Sequence, residues 1–286
     1  MRFRLLALDV DGTLVGRDSV VHPDTIAAVA RARAAGLAVC LATGRSYAET
    51  IPIWRQLRLD APFEPLILIG GALVAEPDSG RTLYQRALPR DLACQLDSAL
   101  AAAGHCALAI TDPWRTGLDY FLTEGPDRPA VEQRWFAQMS VRVRRCRRLA
   151  DIPDLPALLR ISAVVTPPAG DELAAALAAQ FASRLNVHCI LAPNYGVTVV
   201  EAFAMGADKF SAVRYVAQGV PVPITRIAAV GDDVNDIPLL RGVGLGVAMP
   251  QSPPAVAAAA KLIASAGLAP FIDDLLAGRF DDSPER

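Results

Sequence analysis

The chain reads as an α/β protein: a parallel sheet covered by helices on both faces, its sequence interrupted by an inserted α+β module. Three observations predict this. Short, nearly continuous apolar runs alternate with helical stretches from Phe3 to Ile69, the same alternation returns between Ala207 and Ala264, and the texture between them differs. At 286 residues the chain is also about twice the commonest domain size, so a second domain is expected.

Taken in order, Phe3 to Leu8 is an apolar run ended by the turn signal Asp11-Gly12, and Pro23 to Ala35 is a helical stretch stopped by Gly36. Leu37 to Ala42 is the second strand, Ser46 to Leu59 the second helix and Leu66 to Ile69 the third buried strand. From about Leu83 the pattern changes to a helix at Pro89 to Ala103, strands at Cys106 to Thr111 and Asp119 to Thr123, and a basic stretch. A strand at Leu158 to Val165 and an Ala-rich helix at Asp171 to Leu185 follow, so that two helix-plus-strands units stand in succession. The α/β texture resumes with a helix at Ala207 to Gln218, a strand at Arg226 to Val230, a helix at Asn235 to Arg241, a strand at Val243 to Val247 and a helix at Pro254 to Ala264. The expected organisation is a discontinuous core of residues 1–82 and 192–286 around a module of residues 83–191.

Composition narrows the class. With 52% hydrophobic and 20% charged residues the chain can bury a sizeable core, which excludes disorder as its main state. A net charge of -2 argues against whole-surface attraction to nucleic acid or to an anionic membrane. Apolar runs such as Leu66 to Ala75 are broken before they reach the roughly 18 residues a membrane span needs. The N-terminus puts two aspartates inside too short an apolar stretch for a signal peptide, and five scattered cysteines without a C-x-x-C pair suit a reducing compartment. A soluble, cytoplasmic protein is expected.

Functional groups in an open parallel sheet gather beyond the carboxyl ends of the strands, and four features fall there. Asp9-Val10-Asp11-Gly12-Thr13 follows the run Leu5 to Leu8. Carboxylates spaced i, i+2 point the same way on a continuing strand, where they can hold a divalent cation, or one can attack phosphorus while the other handles protons. A solvated turn reads the same residues; a calcium loop does not, because Leu14 and Val20 stand where it needs Gly and Glu. Thr43-Gly44-Arg45 follows the second strand, and a hydroxyl with backbone N–H groups there makes an anion site or an ordinary helix cap. Gly231-Asp232-Asp233-Val234-Asn235-Asp236 crowds three carboxylates at another strand end, which favours a hard cation over a simple cap.

The fourth feature is Lys209. Lysine occurs only at Lys209 and Lys261 among 28 basic side chains, all the others being arginine. In such a chain a retained lysine marks a place where a compact ammonium, bridging a carboxylate and a phosphate, cannot be replaced by a planar guanidinium.

Together DVDGT, TGR, a lone lysine and GDDVND, with a long insertion after the second motif, resemble the haloacid dehalogenase superfamily, specifically Cof-type phosphatases with a type IIB α/β cap. The resemblance implies a Rossmann-like core with an inserted cap, and a Mg²⁺-dependent phosphatase acting on a small phosphorylated metabolite, with a sugar phosphate favoured. It implies Asp9 as the nucleophile that becomes an aspartyl-phosphate and Asp11 as the general acid and base. Thr43 and the N–H of Gly44 would hold phosphoryl oxygens, and Lys209 would neutralise nucleophile and phosphate. Asp232, Asp9 and the carbonyl of Asp11 would bind Mg²⁺, with Asp236 and Asn235 supporting it through water. A phosphotransferase or mutase of the same fold is the alternative enzyme. A non-catalytic binding protein would have lost one of these groups, and all are present.

The departures bear on substrate and fit. Gly70-Gly71 stands where the family usually has Asn-Gly, Lys209-Phe210 replaces Lys-Gly, and Ala248-Met249-Pro250-Gln251 replaces a sequence ending Gly-Asn. In the insertion, the arginines from Arg142 to Arg148 read first as a solvated basic face, with a substrate-anion site as the sharper alternative, and without the aromatics of a nucleic-acid platform. Trp114, Tyr120 and Phe121 read as core before they read as pocket lining.

Overall fold

The structure, a computed structural model, describes residues 2–16, 18–58, 64–125, 141–192 and 196–281. In chain order these form β1 (Leu5–Leu8), α1 (Pro23–Ala34), β2 (Ala38–Leu41), α2 (Tyr47–Gln56), β3 (Leu66–Leu68), β4 (Leu73–Ala75) and β5 (Thr82–Gln85). Next come α3 (Arg90–Ala102), β6 (Leu108–Thr111), the single turn α4 (Pro113–Thr116), β7 (Tyr120–Thr123), β8 (Val143–Cys146) and β9 (Leu158–Val165). After α5 (Ala169–Phe181), β10 (Leu185–Ala192) and β11 (Val197–Ala204), the chain continues with α6 (Lys209–Gly219), β12 (Ile227–Gly231), α7 (Ile237–Gly242) and β13 (Leu245–Ala248). It closes with α8 (Pro254–Ala259), β14 (Leu262–Ile263) and α9 (Leu268–Leu276).

Two compact units result, residues 1–84 with 208–286, and residues 85–207. The first holds a five-stranded parallel sheet in the order β14-β13-β12-β1-β2. Every residue of β1 and β12 is buried, as a strand covered on both faces requires. One face packs Leu5, Ala7, Cys40 and Ala229 against Ala212, Val213 and Val216 of α6 and Leu239 of α7. On α1, Ala28, Val29 and Ala32 are buried, and its Arg31 pairs with Asp273 of α9 at 2.8 Å.

The register places the motifs. Leu8 pairs with Val230 on one side and Leu41 on the other, so Asp9, Thr43 and Asp232 emerge from the carboxyl ends of three adjacent strands. The chain steps one way from β1 to β2 and the opposite way from β12 through β14, which puts the switch point between β1 and β12. Open α/β sheets form their ligand crevices at such points.

The third strand departs from expectation. Leu66 to Ile69 does not extend the parallel sheet as a full third strand. β3 forms an antiparallel three-stranded sheet with β4 and β5, and joins β2 through a single parallel bridge, Ala42 to Ile67. The run Leu66 to Ala75 turns back at Ile69–Gly71, where Gly70 and Gly71 take positive φ, so the chain pairs with itself.

The second unit is a six-stranded mixed sheet in the order β10-β11-β9-β6-β7-β8, with its own core of Leu92, Leu96 and Leu100 from α3, Leu173, Leu177 and Phe181 from α5, and Ile161, Ala163 and Val200 from the sheet. It runs to Ala207 rather than to the expected residue 191, because β11 pairs antiparallel with both β10 and β9 and so belongs to this sheet. Tyr120 and Phe121 are core residues, whereas Trp114 is exposed. The basic stretch forms the edge strand β8. Arg142 pairs with Asp119 at 2.9 Å, the Arg144 guanidinium lies over the Phe121 ring, and Arg148 donates to the carbonyl of Glu124.

Candidate active site

Helix α6 brings the lysine in. Its buried positions are Lys209, Ala212, Val213, Val216 and Ala217, one stripe at helical spacing, so the ammonium occupies the first position of the face that packs on the sheet. Asp208 caps the helix by accepting from the Ser211 N–H at 2.8 Å. Lys209 Nζ then donates to Asp9 Oδ1 at 2.5 Å and to Asp236 Oδ1 at 2.6 Å, and Lys209 and Asp236 are both fully buried.

Asp236 is fixed from its other oxygen, which accepts from the backbone N–H groups of Asp232 and Asp233 at 3.1 and 3.2 Å. Asp232 accepts from the Thr13 hydroxyl at 3.2 Å. Gly12, at φ +77°, lets the β1 loop lie against this carboxylate: a Cβ there would sit 2.0 Å from Asp232 Oδ2. The outcome is a cluster in which Asp9, Asp232 and Asp236 each offer an oxygen, all within 4.8 Å of one another.

Electrostatics set the character of this cluster. Burial pushes the Asp9 carboxyl well above its ordinary value, aided by the charges of Asp236 and Asp232 and opposed by Lys209. Burial and Asp236 likewise push Asp232 up to about 6. Burial disfavours the Lys209 ammonium, yet Asp236 and Asp9 together outweigh it and hold the amine above its usual range. Two buried carboxylates and the half-buried Asp232 against one ammonium leave uncompensated negative charge, and an all-oxygen donor set of this kind fits a hard divalent cation.

Asp11 goes elsewhere. Its side chain is 60% exposed and is held at two points by Arg45, Nε to Oδ2 at 2.9 Å and an Nη to Oδ1 at 2.6 Å. Arg45 also donates to the Ser19 hydroxyl at 3.0 Å. Thr43 is fully buried and lies in the turn before α2, not at its cap: Ser46 is the N-cap, with Glu49 accepting from both its N–H and its hydroxyl. A Cβ on Gly44 would lie 3.9 Å from Asn235 Nδ2, so the Thr43–Arg45 and Gly231–Asp236 motifs adjoin.

A family model for haloacid dehalogenase-like hydrolases matches residues 6–266. The chain belongs to this family. Among curated proteins it is 26% identical over 260 residues to an HMP-PP phosphatase of Serratia proteamaculans, covering 86% of this chain and 84% of that one. It is 28% identical over 247 residues to the 5-amino-6-(5-phospho-D-ribitylamino)uracil phosphatase YitU of Bacillus subtilis, covering 86% of each. A solved HAD subclass IIB sugar phosphatase superposes with a TM-score of 0.76 at 18% identity, covering 95% of this chain and 98% of that one, a likeness of fold. The core is thus a haloacid dehalogenase-like α/β fold with an inserted α+β cap.

Within this haloacid dehalogenase-like core, Asp9, Lys209, Asp232 and Asp236 form one hydrogen-bonded and charge-coupled group, and Asp11 stands beside it on Arg45. Two residues escaped the sequence reading. Arg45 lies inside the TGR triplet, where its charge alone gave no partner. Gln251, part of the departure near the last strands, donates its Nε2 to the Gly12 carbonyl at 2.5 Å and so braces the loop that follows β1. No helix among the described residues is long and apolar enough to cross a membrane.

Proposed function

We propose that the chain is a Mg²⁺-dependent phosphatase that hydrolyses a phosphate monoester of a small metabolite, with sugar phosphates the favoured class, through an aspartyl-phosphate on Asp9. The observation that carries this is the Asp9 carboxylate bonded to the buried Lys209 ammonium at 2.5 Å, within a cluster of three aspartates. The named phosphatases among its relatives support the reaction class.

An anionic nucleophile meets an anionic phosphate only where positive charge screens both, and phosphoryl transfer depends mainly on positioning and electrostatics. Lys209 supplies one such charge next to Asp9. Asp9, Asp232 and Asp236, with the Asp11 carbonyl, would hold Mg²⁺, which when bound supplies further neutralisation of the phosphoryl oxygens. Thr43 and the Gly44 N–H hold those oxygens, and Asn235 adjoins them.

Asp9 Oδ attacks phosphorus as the bond to the leaving oxygen breaks, and Asp11 gives that oxygen its proton. Asp11 then takes a proton from water as the water oxygen attacks phosphorus and the bond to Asp9 breaks, releasing phosphate and restoring both carboxyl groups. The test is turnover of an aryl phosphate with Mg²⁺ in wild type and Asp9→Asn. Loss of turnover is expected, by about 10³-fold or more; unchanged turnover would overturn the nucleophile assignment.

A further inference from the structure

The Gly70-Gly71 pair takes no part in the chemistry above, yet it touches both sides of the site. Within this turn the Ile69 N–H donates to the Arg45 carbonyl and the Gly70 N–H to the Thr43 carbonyl, each at 2.9 Å. On the other side Gly71, at φ +96°, meets the start of α6. A Cβ on Gly71 would lie 2.2 Å from the Asp208 carbonyl oxygen, 2.3 Å from its carbonyl carbon and 2.8 Å from the Lys209 nitrogen. All three atoms are backbone, so no side-chain rotation relieves the collision.

We propose that Gly71 is a positioning residue that sets how deeply Lys209 reaches toward Asp9, and that the Ile69–Gly71 turn fixes the spacing between Lys209 and Thr43. The inference rests on the phosphatase reading. Real Cβ contacts stay beyond 3.0 Å, so a 2.2 Å approach opens only if the Asp208-Lys209 backbone withdraws by most of an ångström. The ammonium is anchored at 2.5 and 2.6 Å to two carboxylates, and a withdrawal of that size at its root breaks or bends both bonds.

The experiment is a double-mutant cycle of Gly71→Ala and Lys209→Ala on the full chain, read as kcat/KM for an aryl phosphate with Mg²⁺. A misplacement near 1 Å predicts a loss of about 10²-fold for Gly71→Ala in the wild-type background. In the Lys209→Ala background the same change should cost less than about 3-fold, because residues acting as a unit are non-additive. Gly267→Ala is the control: it has the same φ of +96° with nothing within 4 Å, so it carries the backbone strain without the collision and should leave kcat/KM unchanged. Should Gly71→Ala fail to fold, Gly70→Ala strains the same turn at φ +63° and replaces it in the cycle, with a smaller loss and the same non-additivity expected. Wild-type kinetics in Gly71→Ala, or equal losses in both lysine backgrounds, overturn the inference. A wild type without turnover overturns the phosphatase reading itself, and this inference with it.

Discussion

The pairing of Arg45 with Asp11 separates two carboxylates that stand two residues apart in the sequence. Asp9 is buried against an ammonium, while Asp11 is exposed and held at two points by a guanidinium. In the proposed mechanism the first attacks phosphorus and the second exchanges protons with leaving group and water. Arg45→Gln should therefore lower kcat by about 10-fold or more while leaving Mg²⁺ affinity unchanged, because positioned proton transfer contributes that order; steady-state kinetics with calorimetric titration of Mg²⁺ checks both. The acidic cluster gives a pH-dependent test. Asp232 titrates at about 6 in the folded protein against an ordinary 3.8, so the native state holds this proton more tightly and metal-free stability falls as pH rises between those values. A cation competes with that proton, and the rise in Tm produced by Mg²⁺ should be larger at about pH 7.5 than at about pH 5. Equal shifts at the two pH values would contradict this. That Asp9, Lys209, Asp232 and Asp236 would come together was legible from their strand ends and from lysine scarcity; the Arg45 contact was not, because a pair 34 positions apart depends on how two loops lie together.

The elements of the parallel sheet were readable where burial made them continuously apolar, as at Leu5–Leu8 and Ile227–Gly231. The three-residue strands β3 and β4 were not resolved as a hairpin, since LILIGGALVA reads as one run until the positive φ of Gly70 and Gly71 turns it. Likewise the expected helix at Pro254 to Ala264 stops at Ala259, and β14 and α9 follow it. At α2 the sequence left Thr43 open as an anion site or as the helix cap. Glu49, bonded to both polar atoms of Ser46, shows that Ser46 is the cap and Thr43 is not. Glu49→Ala should cost about 1 kcal/mol of stability, measured by denaturant unfolding, the usual price of a lost cap.

On the scale of the whole molecule, each unit has its own hydrophobic core. All the proposed metal and phosphate groups belong to residues 1–84 with 208–286. Calorimetric unfolding is expected to depart from a single two-state transition, with Mg²⁺ raising the component assigned to that unit and leaving the other in place. A uniform upward shift of the entire endotherm would argue otherwise. The existence of an inserted module was plain from the change of texture, but its end was not. β11 is an apolar strand like those of the core, and only its pairing with β9 and β10 shows which sheet it serves.

The neighbours β1 and β12 have a consequence for the order in which the protein is made. Leu5 of β1 pairs with Ile227 of β12, about 220 residues later in the chain, so β1 emerges early and waits for this partner. At about 5–20 residues per second that wait lasts roughly 10–40 s. Residues 85–207, contiguous in sequence and with a core of their own, are complete before the waiting ends. During synthesis the middle of the chain is thus the first body able to fold. The nascent LLAL segment, fully buried in the finished sheet, lacks one of its two strand partners until the last quarter of the chain leaves the ribosome.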